Sequence, residues 1–457
     1  MSQTLELNRR AFLRNAGLTA VAGAVGTGSI AAGAPVAAAP PKPHHGKYDL
    51  DTIYNRIGSD CYKWDKQIEK FGRENITVPM GIADMDFKCA PQITQAILRR
   101  VEHENYGYIY MPDSYAESII TWNRARYGIE IQPEGLVNAN GVNPALLSAL
   151  RAFSPPSSKV LLLPPTYSAF YSTVKKAGCV AEECPLHYEN GEYSIDFEDF
   201  ERRIDSGVTS FIFCNPQNPT GNCWSLADMQ ALGEICARKG VVVLSDEIHC
   251  DFVNTGHRYT PFSAIPDESI VRNSVTFKST SKSFNLAATK CAYFFSDNAD
   301  YIARIKATGH NTAVNSLAVA ASEAAYNEAG DWLDEVTAYV DQNMEYAAQF
   351  INKRIPHVKF YKPEGTYLAW LDVSELAEKI GAREMAEEAN RKLAPGETAL
   401  EPENMIELYL VENAGVQLND GFRYGVGGDN RMRMNLATSR HLVSQALENM
   451  AVALDRV

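Results

Sequence analysis

The feature that most constrains this chain is a succession of short, uninterrupted apolar runs, each closed by polar residues. Val160-Leu161-Leu162-Leu163 ends at Pro164-Pro165, and Ser210-Phe211-Ile212-Phe213-Cys214 ends at Asn215-Pro216. Val241-Val242-Val243-Leu244 ends at Ser245-Asp246, and Val275-Thr276-Phe277 ends at Lys278-Ser279. A strand with one wet face alternates apolar and polar residues, whereas a run that is apolar at every position is buried on both faces. Between two of these runs, Ser225 with Asp228 three residues on has the form of a helix N-cap, and Gly240 that of its terminator. Such strands alternating with helices predict an α/β architecture: a large domain over residues 89–325 with a mostly parallel sheet sandwiched by helices. From 326 to 457 the pattern turns helical and then mixed, with a strand-like Thr366 to Leu371 and a glycine-rich loop at Gly425 to Gly428, which predicts a smaller α+β domain. Residues 40–88 are expected to be a linker followed by an N-terminal segment that joins the small domain. The pair His44-His45 in that linker lacks the further ligands a metal site needs, so no metal is assigned.

In a sheet of this kind the ligand lies beyond the carboxyl ends of the strands, so the residues that close each run are the ones to read for chemistry. Taken singly they are weak signals, since Asn215-Pro216-Gln217-Asn218-Pro219-Thr220-Gly221 is rich in turn formers and Asp246 could cap a helix. Order and spacing carry more. Asp246 follows Asn218 by 28 residues, and Lys282, within Ser279-Thr280-Ser281-Lys282-Ser283, follows Asp246 by 36. An amide, a carboxylate and a lysine converging on one crevice match the needs of pyridoxal phosphate: an amine to carry the aldehyde, a carboxylate to keep the ring nitrogen protonated, and an amide for the ring hydroxyl.

These segments resemble the fold-type I pyridoxal-phosphate enzymes of the class I/II aminotransferase superfamily, and within it the MalY/PatB-type cystathionine β-lyases. The resemblance is carried by Ala83-Asp84-Met85-Asp86-Phe87, Tyr106-Gly107-Tyr108, Pro165-Thr166-Tyr167, Asn215 to Gly221, Ser245 to His249, Ser281 to Asn285, Thr366 to Asp372, and Arg433-Met434-Asn435. They run in order from about residue 48 to the end of the chain. The resemblance implies that Lys282 carries the cofactor and moves the substrate Cα proton. It further implies that Asp246 pairs with the ring nitrogen, Asn218 with the ring oxygen, and that Tyr167 and His249 lie against the ring. The phosphate is expected at Val142 and Asn143, where Gly141 opens a helix whose free N–H groups and dipole suit an anion, with Ser279, Ser281 and Lys290 adding side-chain contacts. Arg433 is expected to fork onto the substrate α-carboxylate. Tyr108 is expected to reach the site from a second subunit, which makes a homodimer the working unit. Two departures stand out: Lys290 occupies a position where many aminotransferases carry arginine, and the stretch 383–407 is longer than in relatives. His249 stands where aspartate-type aminotransferases have tyrosine and the β-lyase branch has histidine.

Composition narrows the alternatives. With 43 Lys+Arg against 56 Asp+Glu the chain has a net charge of −13, the wrong sign for a protein that neutralises a phosphate backbone. Residues 1–39 differ from the rest: Arg9-Arg10 precede an uncharged Ala/Gly/Val run broken by glycines, which resembles a twin-arginine signal peptide and predicts export of a folded protein to the periplasm, the cell envelope or the extracellular space. No other stretch is apolar and long enough to span a membrane. Nine cysteines without a C-x-x-C, most in apolar contexts, predict buried free thiols. The activity that the family resemblance implies is cleavage of a Cβ–sulfur bond in cystathionine, cysteine or an S-substituted cysteine. The alternatives are an aminotransferase and, more distantly, a regulatory protein on the same fold.

Overall fold

The computed structural model describes residues 44–457. The twin-arginine segment 1–39 lies outside the described residues. Seven strands form the large sheet: β1 (Leu136–Ala139), β2 (Lys159–Leu162), β3 (Val180–Glu183), β4 (Val208–Cys214), β5 (Val242–Asp246), β6 (Ser274–Lys278) and β7 (Ala292–Phe295). Their order across the sheet is β1-β7-β6-β5-β4-β2-β3, and every pairing is parallel except those made by β7. The uninterrupted apolar runs are explained by burial on both faces. Leu162, Ile212, Leu244 and Val275 point into one core with helix α1 (Val142–Phe153), and their neighbours Leu161, Phe211, Phe213 and Val243 into another with helix α2 (Leu226–Lys239). Ser225 and Asp228 cap α2 reciprocally, and Gly240 ends it at φ 71°, a left-handed conformation that favours glycine.

A second, antiparallel sheet is built from β8 (Lys359–Phe360), β9 (Leu368–Asp372), β10 (Asn419–Asp420) and β11 (Arg431–Asn435), in the order β8-β9-β11-β10. It packs in one core with helix α4 (Gly330–Arg354), helix α6 (Pro402–Ala414) and helix α7 (Arg440–Leu454). Val78–Pro79 pairs in parallel with Val416–Gln417, so the N-terminal segment is part of this unit. The linker reading of His44 needs correction. Its Nε2 lies 2.7 Å from Glu335 Oε1 on α4, and the same carboxylate accepts from the Lys47 and Tyr48 amides at 2.9 and 2.8 Å. Composition marked a loose segment, but one carboxylate on a long helix holds its described part from His44 onward. The stretch 383–407 forms α5 (Ala382–Asn390), a loop closed by Asn390 onto Leu400 at 2.9 and 2.8 Å, and the first turns of α6. All nine cysteines are free thiols. Among the described residues no helix is long and apolar enough to cross a membrane.

Candidate active site

Strand register brings the predicted residues to one end of the large sheet. Asp246, the last residue of β5, lies opposite Cys214, the last of β4, and opposite Phe277 of β6. Lys278, the last of β6, faces Tyr293 of β7, and neighbouring Ala292 faces Ala139, the last of β1. The turns after β1, β4, β5 and β6 therefore open on the same side. They carry Gly141 to Asn143, Asn215 to Gly221, Asp246 to His249, and Ser279 to Lys282. Residues far apart in sequence are adjacent here because parallel strands all end on one edge.

Lys282 sits on a one-turn helix, α3 (Thr280–Ser283), which Ser279 caps by accepting from the Ser281 amide at 3.0 Å. Its Nζ donates to the Ala83 carbonyl at 2.6 Å. Burial, with Arg433 nearby, brings the amine down to about 8 against the opposing pull of Asp84 and Asp246. An amine in that range supplies a neutral nucleophile and base near neutral pH. Asp246 is 3% exposed and accepts from the Ile248 amide at 3.1 Å, and burial pushes its carboxyl up to about 7. A cation beside it would restore the carboxylate. His249 is buried, and desolvation drives its imidazole well below its ordinary range, so the ring is neutral.

Arg433 crosses from the small sheet. Its Nη1 donates to Asn218 Oδ1 at 3.1 Å and its Nη2 to the Gly81 carbonyl at 3.0 Å, while its guanidinium lies 5.2 Å from the centre of the Tyr424 ring. Tyr167 is half-buried, its phenol raised by burial, with Arg433, Asp246 and Asn143 all close enough to bias it. Gly141 takes φ 137°, which no other residue adopts easily, and so opens α1 with the Val142 and Asn143 amides leading. Ser279 Oγ lies 2.7 Å from both Ser281 Oγ and the Cys291 carbonyl. Lys290 is exposed. Tyr108 is fully exposed in its own chain, between exposed Tyr106 and Tyr110.

Five buried polar atoms around this crevice have no partner among the described residues: Asn143 Oδ1, Gln217 Oε1, Thr220 Oγ1, His249 Nδ1 and Arg433 Nε. Each costs about 1–3 kcal/mol when left unpaired, so their gathering at one sheet edge marks the seat of a polar group. Pyridoxal 5′-phosphate fits this donor set, with an amine, a buried carboxylate, an amide and a helix N-terminus on one edge. Three contributors escaped the sequence reading. The Ala83 carbonyl left no trace because a backbone oxygen has no residue type. In the sequence Tyr367 stands out only as part of a strand-like run and Tyr424 not at all, yet Tyr367 donates to the Ala83 carbonyl at 3.0 Å, and Tyr424 underlies Arg433.

Comparison with known proteins agrees with this geometry. The pattern of the family described as aminotransferase class I and II matches residues 75–450. The cystathionine beta-lyase PatB of Bacillus subtilis is 37% identical over 89% of this chain and 100% of its own length. The protein MalY of Escherichia coli is 27% identical over 90% of this chain and 100% of its own. Among solved structures, cystalysin from Treponema denticola, which contains pyridoxal 5′-phosphate, superposes with a TM-score of 0.80 at 27% identity, covering 90% of this chain and 99% of that one. The PLP-bound C-S lyase from Staphylococcus hominis gives 0.79 at 28% identity, with 90% of this chain and 99% of that one covered. The chain belongs to the class I and II aminotransferase family and is built to hold pyridoxal phosphate.

Proposed function

We propose that the protein is a pyridoxal-phosphate-dependent carbon–sulfur β-lyase, which converts cystathionine, cysteine or an S-substituted cysteine to a thiol or sulfide, pyruvate and ammonia. The observation that carries the reading is the meeting of Lys282, Asp246 and the Arg433–Asn218 pair at one sheet edge, in a chain 37% identical to a cystathionine beta-lyase. When bound, the cofactor supplies an electron-withdrawing ring that accepts the electron pair left by the departing Cα proton. Lys282 would hold the cofactor through its aldehyde carbon and, as a free amine, would take the Cα proton. Asp246 would keep the ring nitrogen protonated, Asn218 would hold the ring oxygen, and Tyr167 and His249 would lie against the ring. Val142, Asn143, Ser279, Ser281 and Lys290 would receive the phosphate. Arg433 receives the substrate α-carboxylate in a site where burial makes the charge pair strong.

Tyr108 supports a shared site in a homodimer: it is fully exposed in its own chain and lies in a tyrosine-rich segment suited to a second copy. Arg9 and Arg10 ahead of the uncharged run support export through the twin-arginine route, with the mature enzyme outside the cytoplasmic membrane. An aminotransferase is the second reading, favoured by the 33% identity to a PLP-bound putative aminotransferase from Clostridium difficile with a TM-score of 0.80. The deciding experiment incubates the holoenzyme with cystathionine, with cysteine and with amino acid/keto acid pairs. Pyruvate, free thiol and new amino acid are then measured separately. Thiol and pyruvate in equal amounts support the lyase, and new amino acid without thiol refutes it.

A further inference from the structure

Lys282 shares its acceptor. The Ala83 carbonyl takes its Nζ at 2.6 Å and the Tyr367 hydroxyl at 3.0 Å. That carbonyl is held still by its neighbours. Asn435 Nδ2 donates to the Ile82 and Asp84 carbonyls at 2.7 and 2.6 Å, and Asn285 brackets the Met85 amide and carbonyl at 2.9 Å each. Tyr367 itself is fully buried, edge-on to His249 at 5.6 Å and to Phe252 at 4.8 Å. Just before it, Thr366 has φ 67°, a left-handed conformation that a β-branched residue adopts only under constraint. The turn is fastened by the Thr366 amide on the Phe252 carbonyl and the Gly365 amide on the Gly221 carbonyl, each at 2.8 Å. Packing alone would be served by phenylalanine without the hydroxyl. A strained turn that delivers a hydroxyl onto the acceptor of the reactive amine points to a chemical use.

We infer that Tyr367 is a positioning residue for Lys282: its hydroxyl occupies part of the Ala83 carbonyl, so the lysine amine is held within the site but not trapped there. The inference rests on Lys282 being the cofactor lysine, and it is independent of whether elimination or transamination follows. An oxygen already accepting from Tyr367 is a poorer acceptor for an ammonium group, so the shared bond favours the neutral amine. The charged and titratable groups facing Lys282 are Asp84 on the Ala83 segment, Asp246 and His249 from the β5 turn, and Arg433 from β11. The two carboxylates favour the ammonium form, and Arg433 and burial oppose it. Tyr367 acts with the second set.

The test uses the apoprotein, whose capture of free pyridoxal phosphate needs the neutral amine. The capture rate is followed by absorbance across pH, and borohydride reduction with peptide mass analysis locates the labelled lysine. In Tyr367→Phe the midpoint is expected to rise by about half a pH unit, which makes capture below it about threefold slower. Tyr339→Phe removes another partly shielded hydroxyl, one that donates to Asp51 at 2.6 Å, and should leave the midpoint in place. An unchanged midpoint in Tyr367→Phe, or an equal rise in Tyr339→Phe, overturns the inference. If Tyr367→Phe does not fold, 3-fluorotyrosine placed at position 367 keeps the ring in its packing and strengthens the hydroxyl as a donor; it should lower the midpoint, and an unchanged midpoint there also overturns the inference. A label on a different lysine would instead defeat the assignment of Lys282 itself.

Discussion

Replacing Arg433 by alanine separates substrate capture from cofactor chemistry. The guanidinium is 3% exposed, and two of its nitrogens are committed to Asn218 Oδ1 and the Gly81 carbonyl at 3.1 and 3.0 Å. Its Nε has no partner among the described residues. A carboxylate arriving there would form a desolvated charge pair, and loss of one member of such a pair costs about 2–5 kcal/mol, or roughly 30- to 5,000-fold in affinity. The variant also leaves Asn218 Oδ1 and the Gly81 carbonyl without this donor, at about 1–3 kcal/mol each where water cannot enter. The assay is a spectral titration of the holoenzyme with a slow amino acid such as L-alanine, alongside KM for cystathionine and the cofactor content after gel filtration. KM and the alanine dissociation constant should rise together, while cofactor content stays near that of the parent. Arg433→Lys should recover part of the loss, because it restores charge without the bidentate fork. Unchanged alanine binding in Arg433→Ala would refute the reasoning, as would loss of cofactor with normal affinity in what remains loaded.

Lys282→Ala should abolish turnover and covalent retention, so that borohydride no longer fixes the cofactor to the chain, as intact mass will show. Asp246→Ala should lower kcat by at least 100-fold with little change in KM, since removing a charge that matters only in the chemical step spares binding; a KM effect of that size instead would reassign Asp246 to substrate capture. In the apoprotein, Asp246 is raised to about 7, so the folded state binds the extra proton between pH 4 and 7 and the stability from this group falls as pH rises through that window. Thermal melts should show this decline, on the order of a few kcal/mol, shrinking in Asp246→Asn and in the holoenzyme. Replacing Arg9 and Arg10 by lysines should leave folded, unprocessed enzyme inside the cell, and fractionation that still finds it outside would remove the export reading.

The alternation of buried strands and helices was legible because burial on both faces imposes composition: Leu161 and Leu162 enter opposite cores, so both must be apolar. The polar residues closing each run were legible for a related reason, since parallel strands deliver their ends to one edge whatever lies between them. Asn218, Asp246 and Lys282 could therefore be selected by position and side-chain chemistry. What the sequence could not reveal is whatever depends on a backbone atom or on a second element arriving from elsewhere. His44 reads as linker until Glu335 on a helix almost 300 residues later captures it. Arg433 can be marked as an arginine of the right motif, but its bond to Asn218 exists only because a strand of the small sheet lies against the turn after β4. The Ala83 carbonyl carries no side-chain signature, and Tyr367 is indistinguishable in sequence from a core strand residue. Only the packing of three distant segments places their oxygen atoms beside the lysine amine, because hydrogen bonds are set by distances of a few tenths of an ångström that local sequence does not control.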